Sequence, residues 1–313
     1  MVNLRIAFLA ALFLGGMALS PFSVNAAEAC DRACLEGFVN QYLDALAAHD
    51  ASKLPLTKNA RYTENGQTLK LTDGMWGPKV TLGSYKLYFA DPKAGQVGFM
   101  GVVNENGHPQ ILSLRLKIEN RKIAEMEAIV ARSGAGGFAR PQDLVDKPIF
   151  HEPLAANDHP SRDELVRIAN SYFEGLEKAT GKLTPFDPQC TRIENGAVTA
   201  NNPDGKGMAK MTCGEQFDTG FSPFITHVRE RRYPIVDEER GLVYSIIFFD
   251  HAGTITNVKW TDGTEHKVNP PFDTPYTFLL GELFKIKNGK ITRVEAVLLP
   301  VPYGMPSGWS KKE

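Results

Sequence analysis

The apolar positions Leu35, Phe38, Val39, Tyr42, Leu43 and Leu46 recur 130 residues later as Leu165, Ile168, Ala169, Tyr172, Phe173 and Leu176. Each set falls at i, i+3, i+4, i+7, i+8 and i+11, which is one face of an amphipathic helix. Asp31 and Ser161 stand at the same offset just upstream, and both are residue types that cap helix N-termini. The register continues through Pro55 and Pro185 to Glu64-Asn65-Gly66 and Glu194-Asn195-Gly196. A register kept from helix through loop to strand marks an internal duplication, so the chain is expected to fold as two copies of one unit.

The offset then grows. Asp91, Gly95 and Val97 match Asp237, Gly241 and Val243 at 146, and Lys117, Asn120 and Glu127 match Lys285, Asn288 and Glu295 at 168. The second copy therefore carries two insertions, one between Gly196 and Asp237 and one between Asp250 and Lys285. After its helix, each copy reads as β-rich runs broken by turn residues, with Asn at the closing hairpin. A helix followed by an antiparallel sheet predicts an α+β fold. Residues 30–133 and 161–313 are the two expected domains. Residues 134–160, rich in Gly and Pro and without apolar period, are the expected linker.

Residues 1–29 read as a secretory signal. Arg5 precedes an apolar run too short to span a bilayer, and small residues lead to cleavage near Ala26 or Ala29. A retained anchor and a lipoprotein beginning at Cys30 are the competing readings. Periplasmic or secreted localisation follows from the signal, with no membrane span left after its removal. In an oxidising compartment the four cysteines are expected to form two disulfides. Three pairings are possible; Cys30–Cys34 and Cys190–Cys213 are favoured because each stays within one copy. A net charge of −1 and the lack of any basic run exclude nucleic acid as an expected partner.

The helix-then-sheet plan written twice, with "RYTENGQ", "MWG" and "RRYPIVDEERGLV", resembles the exported tandem proteins of a fungal and proteobacterial family of largely unassigned function. Each half resembles the cone-shaped α+β barrel of the SnoaL-like, or nuclear-transport-factor-2-like, superfamily. The resemblance spans roughly residues 30 to 310. It implies two tandem cones, each able to enclose a small molecule. The superfamily holds isomerases, cyclases, dehydratases, lyases and non-catalytic binders, so fold alone selects no chemistry.

Candidate residues come from the repeat and its insertions. Asn-Gly marks a hairpin turn, but Glu64 shares a strand face with Tyr62, and Glu194 with Arg192. An acid beside a phenol or guanidinium inside a cone suits proton transfer. In the first insertion, Ser222-Pro223 reads as the start of a short helix that sets His227 and Arg231 on one side, with His227 a candidate acid or base. Arg229, Arg231 and Arg232 are expected to form a solvated or ion-paired face toward Asp237, Glu238 and Glu239. Gln216 and Asp218 are candidate ligand contacts at the same mouth, the latter with a competing turn role; Trp76 is a candidate aromatic wall, with plain packing against the barrel as the competing reading. Asp250-His251 aligns with Asn104-Glu105 and reads as a hairpin turn. No zinc, P-loop, dinucleotide or nucleophile-elbow motif occurs, so no metal and no cofactor are expected.

These readings point to a cofactor-independent lyase, dehydratase or isomerase acting by acid–base catalysis on a small, hydrophobic, oxygenated ligand. A non-catalytic binding protein with the same pockets is the alternative, and a scaffold of filled cones a third. Two cones in one chain favour a monomer, with a dimer as the alternative.

Overall fold

The computed structural model describes residues 30–132 and 138–310, together with Met1. The expected signal peptide beyond Met1, the last residue of the expected first domain and residues 134–137 of the expected linker therefore lie outside the described residues. The first half opens with helix α1 (Arg32–Ala47), capped by the Asp31 carboxylate, which accepts from Cys34 N at 2.9 Å. The second opens with α2 (Arg162–Glu177), capped by the Ser161 hydroxyl, which accepts from Glu164 N at 3.2 Å. Both bury the apolar faces read from the repeat.

The first sheet holds β1 (Leu56–Glu64), β2 (Gln67–Thr68), β3 (Val80–Asp91), β4 (Gln96–Glu105), β5 (His108–Glu119) and β6 (Lys122–Ala131), in the order β2-β1-β6-β5-β4-β3. The second holds β7 (Phe186–Glu194), β8 (Ala197–Ala200), β9 (His227–Asp237), β10 (Leu242–His251), β13 (Tyr276–Lys287) and β14 (Lys290–Val301), in the order β8-β7-β14-β13-β10-β9. The topologies are identical, with one parallel pairing in each, β1 on β6 and β7 on β14. Each helix closes one face of its own sheet, so the chain is two α+β cones. The remaining faces pack on each other, Phe89, Met100 and Ile129 against Ile235, Tyr244 and Phe248.

The repeated Glu-Asn-Gly has two jobs. Asn65-Gly66 and Asn195-Gly196 all take positive φ, forming tight turns from β1 to β2 and from β7 to β8. The Asn side chains also prolong the parallel ladder. Asn65 Oδ1 accepts from Val130 N at 2.8 Å, and Asn195 Oδ1 accepts from Leu298 N at 2.9 Å.

The structure corrects three expectations. Ser222–Phe224 is only a 3-10 turn, and His227 begins β9. The offset of 146 already holds there, so this segment repeats β3 and is not inserted. The continuous apolar run of β10 needs pairing on both sides, and β9 supplies one of them at the sheet edge, where Pro234 is tolerated. Asp250-His251 is the end of β10, not a turn; the chain reverses only beyond it, with Gly253 at φ +70°. The arginines of β9 pair elsewhere than expected: Arg229 with Asp250, Arg231 with Glu177, Arg232 with Glu127. Residues 138–160 pack on the cones. Phe150 is fully buried in the core between the sheets, and Leu154 is also buried. The true insertions are the segment with α3 (Cys213–Asp218) and the hairpin β11 (Asn257–Lys259) and β12 (Glu265–Lys267).

Candidate active site in the second cone

The two cones differ inside. In the first, Glu64 on β1 accepts from Tyr62 Oη at 2.7 Å, from Met75 N at 2.7 Å and from Arg132 at 2.8 Å. Trp76 is buried and donates from Nε1 to Tyr42 Oη at 3.2 Å, with the two rings edge to face. Met75 and Trp76 thus plug the cone. Trp76 is not an open aromatic wall, because the Gly74 turn folds it onto α1 and Glu64 rather than over a mouth. The expected pair of Tyr62 and Glu64 exists, but its hydrogen bonds are spent on protein partners.

The second cone is hollow. A cavity of about 140 Å³ is lined by Tyr172, Arg192, Glu194, His251 and an aromatic set that includes Phe221, Phe224 and Phe272. Tyr172 comes from the core face of α2 and occupies the position of Tyr42. Arg192 replaces Tyr62 and Glu194 replaces Glu64, while Phe217 of the first insertion packs on Tyr172, ring centroids 4.9 Å apart, as Trp76 packs on Tyr42. Arg192 is buried; it donates to Gln216 Oε1 at 2.6 Å, to Thr199 Oγ1 at 3.1 Å and to Tyr172 Oη at 3.4 Å, and lies 3.3 Å from Glu194. Burial opposes its charge, but Tyr172 and Glu194 hold it cationic. The Cys190–Cys213 disulfide ties the strand that carries Arg192 to the helix that carries Gln216. Cys30–Cys34 also forms, so both favoured pairings are present.

Two further titratable groups bear on the site, His251 on the cavity wall and Glu282 buried behind it near Glu194, Arg192 and Tyr172. His251 is 1% exposed and stacks on Tyr276, ring centroids 4.5 Å apart and nearly parallel. Its Nδ1 lies 3.2 Å from Phe249 O; a carbonyl only accepts, so Nδ1 holds the proton and Nε2 the lone pair. Burial pulls its pKa down to about 4, against the smaller opposing pulls of Phe249 O and Asp250, so the ring is neutral at neutral pH. Glu282 on β13 is 1% exposed and its Oε2 has no hydrogen-bond partner among the described residues. Burial, then the charge of Glu194, push it up to about 8, while Arg192 and the Tyr172 hydroxyl pull the other way. It is therefore protonated at neutral pH, and Arg192 with Glu194 sums to no net charge.

Of the residues singled out in the sequence, Arg192 and Glu194 line this cavity. Gln216 orients Arg192 and lines an adjoining chamber. Five lie away from it, Tyr62 and Glu64 being the closed pair of the first cone. His227 lies largely exposed on the sheet edge, 3.8 Å from Glu177, because β9 is a strand and points it outward. Asp218 ends α3 and accepts from Gly181 N at 3.1 Å, the turn role. Trp76 belongs to the closed cone. The sequence reading missed Tyr172, His251, Glu282 and the aromatic wall. The pairing of Asp250-His251 with the tail of β4 was the one signal that could have exposed His251. Among the described residues no cluster of three or more His, Cys, Asp or Glu could hold a metal ion, and no helix is long and apolar enough to cross a membrane.

No curated protein matches the chain. Solved structures similar to it cover about a third of the chain. An NTF2-like protein of unknown function from Cytophaga hutchinsonii is 15% identical, over 31% of this chain and 88% of its own, with a TM-score of 0.27. A protein of unknown function with a cystatin-like fold from Methylobium petroleophilum is 16% identical, over 36% and 85%, at 0.28. A candidate ketosteroid isomerase from Kribbella flavida is 12% identical, over 36% and 87%, at 0.26. Residues 28–130 and 158–298 both match one family model, so the two cones are copies of a single family domain, and the chain belongs to the family described as Domain of unknown function (DUF8021).

Proposed function

We propose that the second cone binds a small, uncharged, oxygenated and largely apolar molecule and moves a proton on it without a cofactor, as a lyase, dehydratase or isomerase. The observation that carries this reading is the neutral, buried His251 in the same aromatic cavity as Arg192. His251 Nε2 takes a proton from a carbon next to the substrate carbonyl. The electron pair moves onto the carbonyl oxygen, and Arg192, with the Tyr172 hydroxyl, stabilises that oxyanion. Return of the proton to another carbon gives an isomer; its delivery to a departing hydroxyl gives an alkene and water. Glu282, kept protonated, holds the site neutral and supports Tyr172. The first cone serves as a structural partner.

The two disulfides support export to an oxidising compartment, the periplasm or the medium. One observation favours binding without chemistry: the Arg192 donors already meet protein acceptors at Gln216 and Thr199.

One experiment separates the readings. The signal-free, oxidised protein is incubated with pooled aromatic alcohols, ketones, lactones and polyketide fragments, and mass spectrometry follows retained ligand and new products. A product that is absent with boiled protein and with His251→Ala, but present with His227→Ala, is the expected result. A ligand that comes back unchanged selects the binding reading, and neither outcome at any concentration overturns both.

A further inference from the structure

The cavity does not end at the cone. A second chamber of about 390 Å³ adjoins the first, and Arg192, Phe221, Phe224 and Phe272 line both. The shared side chains set the two chambers side by side. The inner chamber, at about 140 Å³, is close to the size of an engineered apolar cavity that holds a single benzene ring, roughly 150 Å³. The outer chamber has room for more than that.

The outer wall is built by the hairpin β11–β12, which belongs wholly to the second insertion and has no counterpart in the first cone. The hairpin is anchored. Thr261 donates from N to Thr219 O at 2.9 Å and from Oγ1 to Asp218 O at 2.7 Å, and Val268 N donates to Thr256 O at 2.8 Å. On it the Trp260 indole stacks against His266, ring centroids 3.6 Å apart and 18° from parallel. His266 is itself held by Thr264 Oγ1, 2.7 Å from its Nε2. Trp260 is thus a preset aromatic surface lining the outer chamber, and a preset surface costs little entropy when a flat group lands on it. Val258, Val268 and Met208 make the rest of this wall mostly apolar, and Lys267 is exposed at the rim.

We infer that the natural ligand has two joined ring systems, one inside the cone beside His251 and the other laid on Trp260 beneath the hairpin, which makes Trp260 a specificity-determining residue. This rests on the second cone being the binding site, as proposed above.

The test uses the full signal-free, oxidised chain and two uncharged ketones, acetophenone with one ring and chalcone with two. Calorimetry measures the ratio of their affinities. The wild type is expected to prefer chalcone by about tenfold or more, the size of effect one stacked aromatic supplies. Trp260→Ala should bring the ratio to about one, and Trp260→Phe should restore most of it, which sets loss of stacking apart from misfolding. Equal affinities in the wild type, or a preference that survives Trp260→Ala, overturn the two-ring inference and leave the inner site standing. Binding of neither ketone overturns the inner site as well.

Discussion

The Arg32 guanidinium forks over the Asp237 carboxylate at 2.6 and 2.9 Å and so joins the start of the first half to the second sheet. Its repeat equivalent does the same in reverse: Arg162 pairs with Asp91 at 2.6 Å. The two contacts relate the halves as a twofold axis relates the subunits of a dimer, with residue i on j and j on i. Both aspartate side chains are 1% exposed. Arg32→Ala and Arg162→Ala should each cost about 3 kcal/mol, because each leaves a buried carboxylate without its cation. The pairs share no side-chain partner, though Asp91 also accepts from Val236 N, beside Asp237, at 2.9 Å, so the double variant should lose more than either single. Urea unfolding of the three variants measures this; a double variant no weaker than either single would contradict two independent clasps.

Between those clasps the sheets approach closely at Gly281 on β13. A Cβ there would meet the Tyr244 hydroxyl and would come within 2.8 Å of Ser113 Oγ. Tyr244 and Ser113 are hydrogen-bonded across the halves at 2.8 Å and are both buried, so neither can yield without losing that bond. Gly281→Ala should therefore destabilise by about 2 kcal/mol through overpacking. Ser113→Ala in the same chain should recover only part of it, since Tyr244 still blocks the space. Thermal unfolding of the two variants and their combination gives the answer.

The Cys190–Cys213 bond closes a span of 23 residues around the insertion that delivers Gln216 to Arg192. Replacing both cysteines with serine should cost roughly 3 kcal/mol by the chain-entropy argument, and should weaken ligand binding as α3 loosens from β7. Cys30–Cys34 closes a span of only 4 residues at the start of α1, away from the cavity, so its removal should cost less and leave binding intact. Calorimetry on the two double-serine variants, with the same chalcone probe, distinguishes these effects.

The duplication made most of the fold legible, because helix faces, Asn-Gly turns and closing hairpins are local patterns that a repeat confirms twice. Arg192 and Glu194 were legible for the same reason. His251 was not. The turn after β10 begins two residues later than the polar pair Asp250-His251 suggests, and a strand buried on both faces shows no alternation to mark its end. His227 and Arg231 misled through a spacing of four, which suits a helix; β9 is instead a strand, distorted at Glu230 with φ +51°, and both side chains reach Glu177. The aromatic wall comes from segments far apart in sequence and meets only when the cone closes. Glu282 stands where the first half has Leu114, a polar exception on a core strand, and such an exception gains meaning only beside its neighbours.

His251 and Glu282 bracket the working pH. The base form of His251 exists above about 4, and the acid form of Glu282 below about 8. A profile of kcat/KM against pH should therefore rise through about 4, stay level, and fall through about 8. His251→Ala should abolish turnover across the range, and Glu282→Gln should remove the alkaline fall. Stability follows the same groups with its own signs. Glu282 has its pKa raised on folding, so the stability tied to its protonated form is complete below about 4.5 and is lost as pH rises through about 8. Glu295, pushed up to about 7 by burial, adds to that loss. Buried Lys285 pulls the other way: its amine is depressed to about 8, so it costs stability as pH falls from 10.5 toward 8. The difference between wild type and Glu282→Gln cancels the last two. Glu282→Gln should gain on the wild type between pH 5 and pH 9, with the gain levelling off above about 8. A constant difference in melting temperature across that range would mean that Glu282 is ionised throughout, and the alkaline limb of the activity profile would then need another group.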